Sequence, residues 1–404
     1  MRPKTIVLTM LVFFTIAAVA NAEQAPYPLK VLPAEHRKMT DPQTGTELTF
    51  LTTDPAEDTN LYFHDCSWLA DSSLIVFMSQ RETGGLMGYL TATGELVQLT
   101  TPRGGLGGAT AARNRNSVFA LRGQEVVELA LKIDLSADPK IVPSKVTATE
   151  RVICEMPKDD PTSTALNESC DGKWLSVGVG SGDKPSGKGP GILLIDVATG
   201  KIKDLCRIAS DPGYAGHVQW SRTNPNLLSF AGRTNRLYVI DIRDGIPRCV
   251  HRQVPNELVT HEHWWVNDQM TFCGGYHPKP TEDAHVKLLN ITTGEVRIIG
   301  AGAWWPTATP AELAKWNWWH AAGDEQGRWV AADNWHGDIV LFDGKTTRMY
   351  QLALGHRTYG HGVHPHVGWD RRGEQVAFTS HMLGNPNVCV ATIPNAWQAA
   401  RDSE

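Results

Sequence analysis

Near its C-terminal end the chain reads HGVHPH, so that His361, His364 and His366 fall within six residues. Imidazole is a common ligand of transition metals. In an extended strand, residues two apart project to the same side, so His364 and His366 can face one point. A nitrogen-rich donor set suits Mn, Fe, Ni, Cu or Zn and does not suit Ca. The string contains no cysteine, which speaks against a purely structural zinc site. It becomes a metal site only if the fold brings a further donor to it.

The positions of the other histidines suggest where that donor comes from. Thirteen of the 15 histidines lie after residue 210. Among them, His217, His261, His320 and His366 each open a segment of the same design. The segments begin HVQWSRTNPNLLSFAG, HEHWWVNDQMTFCGG, HAAGDEQGRWVAADN and HVGWDRRGEQVAFTS. Each reads as a strand, a polar turn, a second strand, a loop and a third apolar run. An earlier copy, DCSWLADSSLIVFMSQ, starts at Asp65.

Units of this kind can be drawn at 67–100, 107–134, 168–205, 217–250, 261–300, 319–352 and 364–394, with 107–134 the weakest. Long amphipathic helical patterns are scarce. Short strands repeating roughly every 35–60 residues predict an all-β, seven-bladed β-propeller. Residues 23–62 are expected to supply a closing strand and an N-terminal extension, with 23–404 forming a single propeller domain. Two stacked β-sandwich domains would also use many short strands, but the constant phase of the repeat argues for the ring.

The first strand of each propeller blade lines the central channel, so equivalent positions face a common axis. On that geometry His320, His361, His364 and His366 form the expected ligand set, one from the sixth blade and three from the start of the seventh. His261 shares the phase but sits one blade earlier. It would face the same cavity without necessarily binding the metal. Its imidazole, titrating near neutrality, suits a general base. Arg236 opens the third strand of the fourth blade, and by pattern alone it reads as a surface arginine. The 14 tryptophans are expected to fill wedges between blades, and some could stack on sugar rings.

The remaining features bound the function. Met1 to Lys4 is a short positive start, Ile6 to Val19 is mostly apolar, and Ala20-Asn21-Ala22 fits a cleavage site. Residues 1–22 therefore read as a secretory signal peptide, which predicts a periplasmic or secreted protein. The apolar run is too short for a comfortable membrane span. A net charge of −5 without a long basic run argues against nucleic acid as a partner. The seven cysteines are odd in number and include no CxxC, so zinc or redox roles are not indicated, although a Cys154–Cys170 bridge is possible. No GxSxG string supports a serine hydrolase.

Four strings resemble the oligogalacturonate lyases, polysaccharide lyase family 22. They are LYFHDCSWLADSSLIVFMSQRETGGLMGYLTATGELVQLT at 61–100, GHVQWSRTNPNLLSFAG at 216–232, THEHWW at 260–265, and HPHVGWDRRGEQVAFTSHMLGNPNVCVATIP at 364–394. The resemblance implies a propeller that cleaves short pectic uronic-acid oligosaccharides by metal-assisted β-elimination, typically with manganese. It implies a metal sphere of three histidines and a glutamine. The histidines fall on His320, His364 and His366, and His361 stands in the glutamine's place. The family's base falls on His261 and its charge-neutralising arginine on Arg236. His263 replaces the family's phenylalanine, and an export signal is unusual for enzymes that finish imported oligomers in the cytoplasm. Two other functions remain open: a lyase acting on a different uronate glycan, or a non-enzymatic periplasmic propeller that binds glycan or protein.

Overall fold

Each apolar run pairs with the next in antiparallel register, and the pairing stops at the end of every unit. In the computed structural model, which describes residues 25–81, 85–181, 185–208, 213–275, 284–300, 317–357 and 363–403, this produces seven small sheets. Arranged in a ring, they form a seven-bladed β-propeller. The second strands are buried on both faces, as in Leu74–Ser79, Gln269–Gly274, Trp329–Asn334 and Gln375–Ser380. That explains their near-continuous apolar runs, since each blade is sandwiched between two others.

Tryptophans do fill the wedges. Trp68, Trp220, Trp264, Trp318 and Trp329 are fully or almost fully buried. Several also tie neighbouring blades by hydrogen bonds. The Trp264 indole donates to the Gln219 carbonyl at 3.2 Å, and the Trp369 indole to the Ala322 carbonyl at 2.7 Å. Gly323 is required beside Trp265, because a Cβ there would lie 2.0 Å from the indole.

The ring closes by joining the two ends of the chain. The seventh blade holds Gly368–Trp369, Gln375–Ser380 and Asn387–Thr392, and Glu47–Phe50 and Arg37–Thr40 add to its outer side. Cys389 pairs with Phe50 across this seam. The Asp41 carboxylate accepts the backbone N–H groups of Gln43, Thr44 and Leu354, which fixes the turn before the closing strand. The helix Asn395–Ser403 follows. Its Arg401 pairs with Asp343, and Trp397 packs on Tyr350.

The second blade is longer than drawn: Glu125–Asp134 pairs along its length with Lys145–Glu155, and Tyr27–Pro28 adds a fifth strand. The polar loop between those strands hid the fourth. All seven cysteines are free, so Cys154 and Cys170 are not bridged. The expected signal peptide at 1–22 lies outside the described residues.

Phe50 is wholly buried in the closing seam. Phe50→Ala should cost about 3–5 kcal/mol, as large-to-small core changes of this kind do. A fall in the denaturant midpoint at unchanged slope would show it.

Candidate metal centre and active site

The innermost strand of each blade is closed to the second strand by one backbone hydrogen bond at the hairpin. These bonds start at Leu69, Ala112, Ser169, Ser221, Trp265, Asp324 and Asp370. Counting four residues back from each gives Asp65, Gly108, Ala165, His217, His261, His320 and His366. This is one ring of equivalent positions around the axis. Blades four to seven contribute imidazoles, and blades one to three contribute an aspartate and two small residues.

A local distortion helps to turn those side chains inward. His217, His261 and His366 have φ of 48°, 50° and 51°, and Gly108 has 55°. Non-glycine residues rarely adopt this left-handed region, and histidine does so more readily than most. The inner-strand registers slip at Gly216/Gln219, Thr260/His263 and Trp318/His320, which marks a bulge in each. Bulges re-aim side chains and often lie beside functional sites.

The rings meet. His320 lies 4.7 Å from His366 and 5.4 Å from His364 between ring centroids, and His364 lies 5.8 Å from His366. Nitrogen ligands about 2.1 Å from one ion would put neighbouring centroids roughly 4.5–5.5 Å apart; the two pairs that include His320 fall in that range, and the His364–His366 pair is slightly wider. Asp333 accepts a hydrogen bond from His320 Nδ1 at 2.9 Å, and also from the His320 backbone N–H. The other nitrogen, Nε2, is thereby left as the donor toward the cluster, the usual arrangement behind a metal-bound histidine. Burial holds His320 and His366 well below the ordinary histidine pKa, so both rings are neutral and able to ligate. Burial raises the Asp333 carboxyl above the usual carboxylate range. Among the described residues, no group of three His, Cys, Asp or Glu side chains already stands ready to hold an ion. His361, the fourth expected ligand, lies outside the described residues.

His261 sits beside this group, 4.2 Å from His320 and 5.9 Å from His217 between centroids. Its Nδ1 is 3.0 Å from the Thr260 hydroxyl. Burial, reinforced by the neighbouring rings and Arg236, holds its pKa well below 6.5. Arg236 is not a surface residue. It reaches inward, donating from Nε to buried Glu262 at 2.8 Å, with Nη2 3.2 Å from His217 Nδ1. Burial disfavours its charge, but Glu262 outweighs this and raises its pKa above the ordinary value.

Sequence reasoning did not assign roles to three residues that complete the site. Asn60 pairs with Phe77, and Trp68 pairs with Ile75, so residues 61–67 loop out opposite Val76. That loop pushes Tyr62, Phe63 and His64 into the channel. The Tyr62 hydroxyl is 3.3 Å from His217 Nε2, and its ring lies 4.6 Å from His366. Burial raises its phenol, which stays protonated. Phe63 is buried in the middle of the channel, against His64, His217, His261, His263 and His320. A cavity of about 180 Å³ opens between this loop and blades three and four, lined by Tyr62, His64, Asp65, Thr164, Tyr214 and His217 among others. The available signal was the short YFHD string just ahead of a repeat.

The same architecture occurs in solved structures. An oligogalacturonate lyase in complex with manganese superposes with a TM-score of 0.71 at 17% identity, covering 91% of this chain and 98% of that one. An oligogalacturonate lyase from Vibrio parahaemolyticus gives 0.72 at 16% identity, covering 92% and 100%. The fold is similar to that of the oligogalacturonate lyases. The WD40 repeats of RRP9 align less closely, with a TM-score of 0.54 at 12% identity over 89% of this chain and 100% of that one. No protein-family model matches the sequence, and no curated protein matches it. No helix among the described residues is long and apolar enough to cross a membrane.

The depressed histidines make the metal-free protein acid-sensitive. An unfolded histidine takes up its proton near 6.5, whereas buried His217, His261, His263, His320 and His366 resist protonation until well below that. Their contribution to stability is therefore complete above pH 6.5 and is lost as pH falls below it. Melting temperature measured against pH should fall on the acid side. Substituting His263 by Phe should flatten part of that slope.

Proposed function

We propose that this protein is a metal-dependent polysaccharide lyase that cleaves oligogalacturonates by β-elimination. The observation that carries the reading is the meeting of His261 and Arg236 with the His320, His364 and His366 group at one end of the channel. The fold shared with oligogalacturonate lyases, one of them in complex with manganese, supports it.

The C5 proton of a uronate is weakly acidic, so the charge that builds on its carboxylate must be stabilised. A divalent transition ion, manganese in the first instance, held by His320, His364, His366 and His361, would act there as a Lewis acid. Arg236 brings a fixed positive charge to the same end of the channel, and Glu262 orients it. His261 is neutral near pH 7 and accepts the C5 proton. The bond from C4 to its oxygen breaks, the departing oxygen takes up a proton from water, and a 4,5-unsaturated sugar is left. The cavity beside His217 and Tyr62 would take the neighbouring sugar unit. His361 in place of the family's glutamine would make the sphere all-nitrogen and draw it toward later transition ions. Residues 1–22 we read as an export signal, which places the reaction in the periplasm or outside the cell.

Purified protein with defined metal content should convert oligogalacturonate to an ultraviolet-absorbing unsaturated product. Activity should vanish with a chelator and return with Mn²⁺. A panel of other uronate glycans under the same assay separates this substrate from its relatives, and no product from any of them would leave a binding propeller. His261→Ala should lower kcat by roughly 10²–10⁴-fold with metal content unchanged. His364→Ala should lose both metal and activity. Elemental analysis showing full metal occupancy in that variant would remove His364 from the ligand set. The acid limb of kcat/KM should lie below pH 6.5, because the base must be neutral and its pKa is depressed.

A further inference from the structure

The opposite end of the inner strands carries a second ring. One residue beyond each hairpin hydrogen bond lie Ala70, Arg113, Cys170, Arg222, Val266, Glu325 and Arg371. These positions are five residues from the histidine ring, roughly 15 Å along a strand. Three arginines here converge on one carboxylate. Glu325 lies 3.6 Å from Arg113, 3.2 Å from Arg222 and 3.2 Å from Arg371. Between them is a cavity of about 190 Å³, with Asn114 and Thr223 also in its wall.

The surrounding charges do not cancel the excess. Arg113 also donates from Nε to the Glu168 carbonyl, and its backbone N–H meets the Glu168 carboxylate. Behind it, Arg115 and Arg151 share Glu128, and Arg115 also approaches Glu168. Within these ion pairs five arginines thus face three glutamates, an excess of two positive charges among them. His263 adds no charge. Burial and Arg222 hold its pKa well below the ordinary value, and its Nε2 accepts from Arg222 Nη2 at 2.8 Å. The Cys170 thiol is raised by burial and is also neutral. Burial, reinforced by the nearby Arg113, pulls the Arg222 pKa below its ordinary value. Arg371 is anchored to the backbone, donating to the Trp68 and Ala112 carbonyls at 2.7 and 2.9 Å. The guanidiniums are therefore held close by the fold rather than free to move apart.

We propose that this mouth of the channel is a binding site for a small multivalent oxyanion of the sulfate or phosphate kind. Guanidinium forks match such oxygens in pairs, and a doubly charged ligand balances the excess. Phe63 and His263 stand between this mouth and the histidine cluster, so the site is distinct from the one proposed for catalysis and does not rest on that reading.

The test is isothermal titration of the whole protein with sodium sulfate, and separately with sodium phosphate, against sodium chloride at matched ionic strength. Saturable one-to-one binding of either multivalent anion is expected. The two arms show which tetrahedral anion is preferred. Arg113→Gln should weaken binding at least about tenfold, the loss expected for one charge-assisted contact. Glu325→Gln should strengthen it, because the competing carboxylate is gone. A merely damaged fold could not produce that gain. The proposal fails if wild type shows no saturable binding beyond chloride, if Arg113→Gln binds as wild type does, or if Glu325→Gln binds no tighter.

Discussion

A ring of blades shares one axis, and every inner strand must run beside it. This constraint determines what the channel can contain. A residue type repeated at one phase of the blade becomes a cluster in space, although its members are 44 to 59 residues apart in sequence, as from His217 to His261 and from His261 to His320. The bulges and left-handed residues of those strands then set the aim of each side chain. Such backbone conformations cost energy and persist only where the surrounding sheet holds them. Here each bulged strand is held by hydrogen bonds to its second strand, and tryptophan indoles tie some of them to the next blade.

The two ends of the channel differ sharply in electrostatic character. At one end, the titratable rings of His217, His261, His320 and His366 are kept neutral by burial, with one arginine paired to one glutamate. At the other, permanently charged guanidiniums crowd one carboxylate. Phe63 is buried between them, against the rings of His261, His263 and His320. Neutral imidazoles are what metal ligation and proton abstraction require. Fixed cations suit the recognition of an anion.

Much of this was legible in the chain because repetition is legible. The second strands are apolar on both faces, and their turns carry Gly, Asn and Asp, so seven units could be drawn. The phase of His217, His261, His320 and His366 relied only on counting from those turns. What counting could not find were contacts set by irregular backbone. Arg236 looked like a surface residue because nothing in its strand shows that it turns inward toward Glu262. Tyr62, Phe63 and His64 were hidden because a loop-out has no period. The fourth strand of the second blade was missed for a related reason, since a polar loop separates it from its partner. His361 lies outside the described residues, and its part in the cluster still rests on the HGVHPH string.

The seam in the seventh blade has a consequence for how the molecule is made. His364 and His366 open the last blade, and that blade is completed by Glu47–Phe50 from the other end of the chain. Contacts this remote in sequence slow folding, because the intervening loop must be closed first. On a ribosome, the early hairpin of Arg37–Thr40 and Glu47–Phe50 must wait with one edge open through the synthesis of six blades before its partner strand emerges. The histidine cluster is therefore among the last parts to assemble, and a chain truncated before the HGVHPH string would lose both the seam and three of the four proposed ligands at once.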